Sequence, residues 1–142
     1  MSNFKVLDVV YKALRNENAG VRKAALQALP DTKETLAQLI ESGVFYDPDL
    51  NTRLAAFIKS IELPNSLAMG KIIYLSSRLD RDNQDLWLSK ALQASALIHQ
   101  EGYLSAYYEN EKSSSGSKAS LSHKIKSNFN TQIVPLAKDG YE

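Results

Sequence analysis

Asp47-Pro48-Asp49-Leu50-Asn51-Thr52-Arg53-Leu54-Ala55-Ala56 is a turn that runs straight into a helix. Proline tolerates the entry to a helix and aspartate caps one, so Asp47-Pro48-Asp49 opens it. Leu54, Phe57, Ile58 and Ile61 then recur at i, i+3, i+4 and i+7, the helical period. Pro64 lies just beyond the far end. The stretch has copies. Thr52-Arg53-Leu54-Ala55-Ala56-Phe57 aligns with Val21-Arg22-Lys23-Ala24-Ala25-Leu26 at a spacing of 31, and with Trp87-Leu88-Ser89-Lys90-Ala91-Leu92 at a spacing of 35. A two-helix unit recurring at such a period predicts stacked helical pairs. Paired alanines allow one helix to lie tight against another. The arginine before them is placed to reach acidic or carbonyl groups of the neighbouring turn.

Working outward, the helical period holds from Phe4 to Glu109. The predicted core stripes are Val6, Val10, Ala13 and Leu14, with Leu7 and Tyr11 beside them; Val21, Ala24, Ala25, Ala28 and Leu29; and Leu36, Leu39, Ile40 and Val44. Met69, Ile72, Ile73 and Leu79 continue the series, then Trp87, Leu88, Ala91, Leu92 and Ala94 to Ile98, then Leu104, Tyr107 and Tyr108. Pro30 closes the second helix. Asp31-Thr32-Lys33-Glu34 predicts a capping box for the third, with Asp31 as the cap. Gly43 falls at a C-cap position. Asp82 or Asn83 is the expected cap of the sixth helix, with Asp85 in its first turn. Short loops make sequential helices antiparallel neighbours.

Asp47 to Ala56 resembles the second-helix signature of HEAT repeats, and Asn16-Glu17-Asn18-Ala19-Gly20-Val21-Arg22-Lys23-Ala24-Ala25 is a weaker copy. The third unit departs from the pattern, with Leu88 where the arginine belongs and Trp87 where the valine belongs, as in an atypical terminal repeat. The resemblance covers about residues 4–100. It implies an all-α fold, a short right-handed α-solenoid of about three antiparallel helix pairs, over residues 1–109. Armadillo and other helical-pair repeats share much of that pattern. The Asp82–Ala94 segment is also similar to HEAT segments of large bacterial secreted proteins, where they join a sugar-dehydrogenase-like propeller to a cytochrome c or cupredoxin domain. That likeness implies an internal spacer or docking domain. The redox motifs of those neighbours, Cys-x-x-Cys-His and a copper-ligand set, do not occur in this sequence.

Composition sets the outer bounds. The chain has 142 residues, 44% hydrophobic and 23% charged, which fits a globular domain with a core of its own. It has no cysteine, which excludes disulfides, thiolate metal sites and a cysteine nucleophile. Residues 1–109 carry 12 basic and 13 acidic side chains, while residues 110–142 carry five and three. Residues 110–127 hold seven serines and four lysines and read as a flexible linker. In residues 128–142, Phe129, Thr131 and Ile133 alternate with Asn130 and Gln132 before Pro135, an extended segment that either lies on the helical body or starts a truncated domain. The N-terminus lacks a secretory pattern, and no apolar run approaches the roughly 20 residues that span a bilayer. The expectation is a soluble monomer without membrane insertion, cytoplasmic by default, or in the bacterial envelope or secreted if the segment belongs to a dehydrogenase-like protein.

Candidate chemistry is sparse. His99 stands at a helix C-terminus, where the dipole favours it, and His123 lies in the linker. Asp47/Asp49 and Asp80/Asp82/Asp85 are acidic groupings that turn and cap duty explains; the latter lacks the glycine and distal Glu of a calcium loop. No phosphate-binding loop or nucleophile elbow is present. No catalytic residue, cofactor or metal ligand is therefore assigned, and the expectation is a protein that is not an enzyme. A HEAT-like DNA glycosylase needs a basic groove, which a body of net charge −1 does not supply, and Lys118, Lys124 and Lys126 fit a solvated linker better than a nucleic-acid site. The remaining function is contact with a protein or a neighbouring domain of the same polypeptide. A solenoid would offer the second helix of each pair, exposing Lys23, Gln27, Lys59, Lys90 and Gln93. Phe45-Tyr46, Trp87, Tyr103, Tyr107 and Tyr108 read either as a cap over the last pair or as aromatic anchors for a partner.

Overall fold

The computed structural model describes residues 3–113. Of the linker predicted for residues 110–127, residues 110–112 continue the last helix and residue 113 caps it; the rest of it, with His123 and the three linker lysines, and the extended segment predicted for residues 128–142 lie outside the described residues. Within them the chain is all-helical. It forms two compact units divided between Pro64 and Asn65.

The first unit contains α1 (Asn3–Ala13), α2 (Ala19–Ala28), α3 (Lys33–Ser42), a single 3-10 turn (Val44–Tyr46) and α4 (Leu50–Glu62). Local side chains set the boundaries. Asn18 caps α2, its Oδ1 accepting from the amides of Gly20 and Val21 at 2.8 and 3.3 Å. Asp49 caps α4 through the Thr52 amide (2.8 Å) and hydroxyl (2.9 Å). Gly43 ends α3 in the left-handed conformation (φ 79°), a position that glycine takes without steric cost. The cap of α3 is Thr32, which accepts from the Thr35 amide at 3.1 Å, and this corrects the expected Asp31 cap. Asp31 instead accepts a 2.6 Å hydrogen bond from Lys59 Nζ.

Leu14, Leu26, Leu29, Leu36, Leu39, Phe45, Phe57 and Leu63 build the core of this unit. The Phe45 and Phe57 rings meet 5.1 Å apart, so Phe45 belongs to the interior while Tyr46 beside it stays exposed. α1 and α4 both pack on α2. Arg22, early in α2, bonds to Asp47 just before α4, and Lys59, late in α4, bonds to the Leu29 carbonyl just after α2. α2 and α4 therefore run in the same direction, with α3 and the 3-10 turn returning the chain between them.

The second unit contains α5 (Leu67–Ser77), the single turn α6 (Asp80–Asn83), α7 (Leu86–Ile98) and α8 (Gln100–Lys112). Ser66 caps α5 and Asp85 caps α7, its Oδ1 accepting from Leu88 at 2.8 Å. Asp85 is thus the cap itself, not the first-turn acid below a cap at Asp82 or Asn83. α5 lies against α8 at backbone distance. A methyl group on Gly70 would fall within 3.0 Å of the His99 carbonyl, the Tyr103 amide and the Gly102 carbonyl carbon; one on Gly102 would strike the backbone of Leu67. Further along, Tyr74 meets Tyr103 and Tyr107 edge-on, at 5.7 and 6.5 Å. These contacts advance together along both helices, so α5 and α8 also run in the same direction. α7 packs against both, burying Leu88, Ala91, Leu92 and Ala96.

His99, between α7 and α8, is fully buried, and its Nδ1 accepts from the Ser66 amide at 3.0 Å. The expected role at the α7 dipole gives way to that of an acceptor for the start of α5, which requires Nδ1 without a proton.

Candidate functional site

Two arginines set which sides of α2 and α4 turn inward. Arg22 Nη1 donates to the carbonyls of Asn16 (2.8 Å) and Glu17 (3.0 Å). Arg53 Nη1 donates to those of Asp47 (2.7 Å) and Pro48 (3.3 Å), the residues that stand 31 positions later. The turns match as well: Asn16 Oδ1 accepts from the Asn18 amide and Asp47 Oδ1 from the Asp49 amide, both at 2.9 Å. Each arginine thus clamps the turn that leads into its own helix. Arg22 also grips the next copy, through Nε to Asp47 Oδ2 (2.7 Å) and Nη2 to Asp47 Oδ1 (2.8 Å). That two-pronged pairing is the main reason the guanidinium is held protonated beyond its ordinary range, with burial opposing. The Asp49 carboxyl is pulled below its usual value, first by the amide and hydroxyl of Thr52 and then by the nearby Arg22 and Arg53 charges.

With the arginines turned inward, the buried positions become 25 and 26 on α2, 29 just after it, and 52, 53, 56, 57, 59 and 60 on α4. The predicted stripes are rotated accordingly. Val21 is 39% exposed and Ile58 49% exposed; Ala24 and Ala28 also face solvent, and Leu54 and Ile61 are half-buried. The same helices thus carry a second apolar face that the core does not use.

Between α2 and α4 that face forms a groove of about 380 Å³. Leu26, Leu54, Ala55 and Ile58 supply its apolar wall. Lys23 and Gln27 on α2, and Asn51 and Glu62 on α4, supply the polar rim. Lys59 closes one end. Its ammonium is buried and donates to the Leu29 carbonyl (2.6 Å), Asp31 (2.6 Å) and Glu62 (3.4 Å), so this lysine is structural and not the exposed contact residue expected from its place on the helix. Lys23 and Gln27 are exposed where they were expected.

The other expected contact residues lie in the second unit. Trp87 is 66% exposed, and Lys90, also exposed, holds its Nζ 5.6 Å from the indole centroid. Gln93 is half-buried. Tyr103 and Tyr107 are buried among core residues, which removes them from a contact surface; burial pushes the Tyr103 phenol above its ordinary pKa. Tyr108 alone of the three is exposed, its ring 5.3 Å from that of Tyr107.

Sequence reasoning missed Leu54 and Ile58 as lining residues because it spent them on the core. The available signal was an excess: α4 carries apolar residues on more positions than one buried face can hold. Among the described residues, no group of three His, Asp or Glu side chains is placed to hold a metal ion, and no helix is long and apolar enough to cross a membrane. Comparisons with family models, with curated proteins and with solved structures give no match for this chain.

Proposed function

We propose that this chain is a non-catalytic interaction or scaffold module of the HEAT-like kind, with helix pairs stacked as a short right-handed solenoid. Two features support the repeat reading. The arginine clamp recurs at a spacing of 31 with the same donors and acceptors. Like helix also lies on like helix in one direction, α2 on α4 and α5 on α8, as the successive members of a stack do.

The observation that carries the function is the open aliphatic face of α2 and α4. Side chains such as Val21, Leu54 and Ile58 are costly to leave in water, at roughly 25 cal/mol per Å² of apolar surface. Their natural complement is an apolar surface of a protein or of a neighbouring domain, seated between Lys23 on one wall and Glu62 on the other.

A photo-crosslinking residue at Ile58 tests this in the native host. It should capture one defined polypeptide, or another part of its own chain, while the same group at Lys33 on α3 should not. Binding of that polypeptide should then weaken about tenfold or more on Leu54→Asp, with the helical circular dichroism retained. Equal capture from Ile58 and Lys33, or none from either, would overturn the proposal.

A further inference from the structure

We draw no further inference here: the strongest candidate, the exposed Leu86–Trp87 surface patch with Lys90 over the indole at the start of α7, is an apolar face and nothing in the structure shows what covers it.

Discussion

Arg22 and Asp47 tie the start of α2 to the turn that leads into α4. Their side chains are 13% and 6% exposed, so the pair sits largely out of water. Removing one partner leaves the other charge largely buried with only backbone partners, the Asp49 amide for Asp47 or the Asn16 and Glu17 carbonyls for Arg22. Arg22→Gln should therefore cost about 2–4 kcal/mol in urea unfolding, and Arg22→Lys should recover only part of it, because a lysine has no second prong for Asp47. The double variant Arg22→Gln/Asp47→Asn should cost less than the two single losses combined; strict additivity would show that the pair is not coupled. Asp49 gives the pH dependence. Its folded-state pKa lies below the ordinary 3.8, so its contribution is present above that value and is lost as the pH falls through the lower folded value. Melting temperatures measured from pH 6 down to pH 2 should fall more steeply for the native chain than for Asp49→Asn, which keeps a good cap without a titrating group. Parallel profiles would refute this. Ser76 works in the other direction. Its Oγ is buried with no hydrogen bond from any described residue, so Ser76→Ala should raise stability by up to about 1 kcal/mol.

The glycines on α5 and α8 belong to the scale of elements. A glycine inside a helix normally costs about 1 kcal/mol relative to alanine. At Gly70 and Gly102 that cost is outweighed, because the added methyl group would meet backbone and not the yielding end of a side chain. Gly70→Ala and Gly102→Ala should each destabilise by at least about 1 kcal/mol by thermal melting. Gly20→Ala, whose nearest obstacle is the exposed Asn18 side chain at 3.0 Å, should stay within about 0.5 kcal/mol of the native value. The long helices and most of their boundaries are legible in the sequence, because Gly43 and Asp49 act through bonds within a few residues of themselves and a proline such as Pro64 does not continue a helix; the single turn α6 beyond Ser77 is not legible. Asp31 was misread because Asp31 and Thr32 are both competent caps, and a lysine 28 positions away takes the carboxylate. The helix faces were misread for a related reason. Arg22 and Arg53 do reach acidic and carbonyl groups of neighbouring turns, as the sequence predicts, but the apolar period alone does not carry the consequence, that these side chains turn inward and rotate the aliphatic residues into view. Composition leaves Tyr103, Tyr107 and Tyr108 open between a cap and surface anchors, and the packing decides: Tyr103 and Tyr107 are interior beside Tyr74, whose hydroxyl accepts from Arg78 at 3.0 Å, and Tyr108 is exposed. The close approach of Gly70 and Gly102 left no trace in the period at all, since two glycines 32 positions apart carry no pattern until the helices meet.

For the molecule as a whole, charge and exposed apolar area act together. The chain carries a formal charge of only +1 at neutral pH and its isoelectric point is about 7.9, so near that pH little repulsion holds copies apart. An open aliphatic groove should then dominate the weak forces between molecules. Light scattering at pH 7.9 should show net attraction that weakens toward pH 6, as the net charge grows. Two variants separate the contributions. Ile58→Lys and Gln100→Lys each add one positive charge at an exposed helical site, but only the first removes aliphatic surface from the groove. If the α2–α4 face is the adhesive part of the surface, Ile58→Lys should suppress the attraction clearly more than Gln100→Lys, with both proteins equally helical. Equal suppression would assign the effect to charge alone and would remove the reason for regarding that face as one built to be covered.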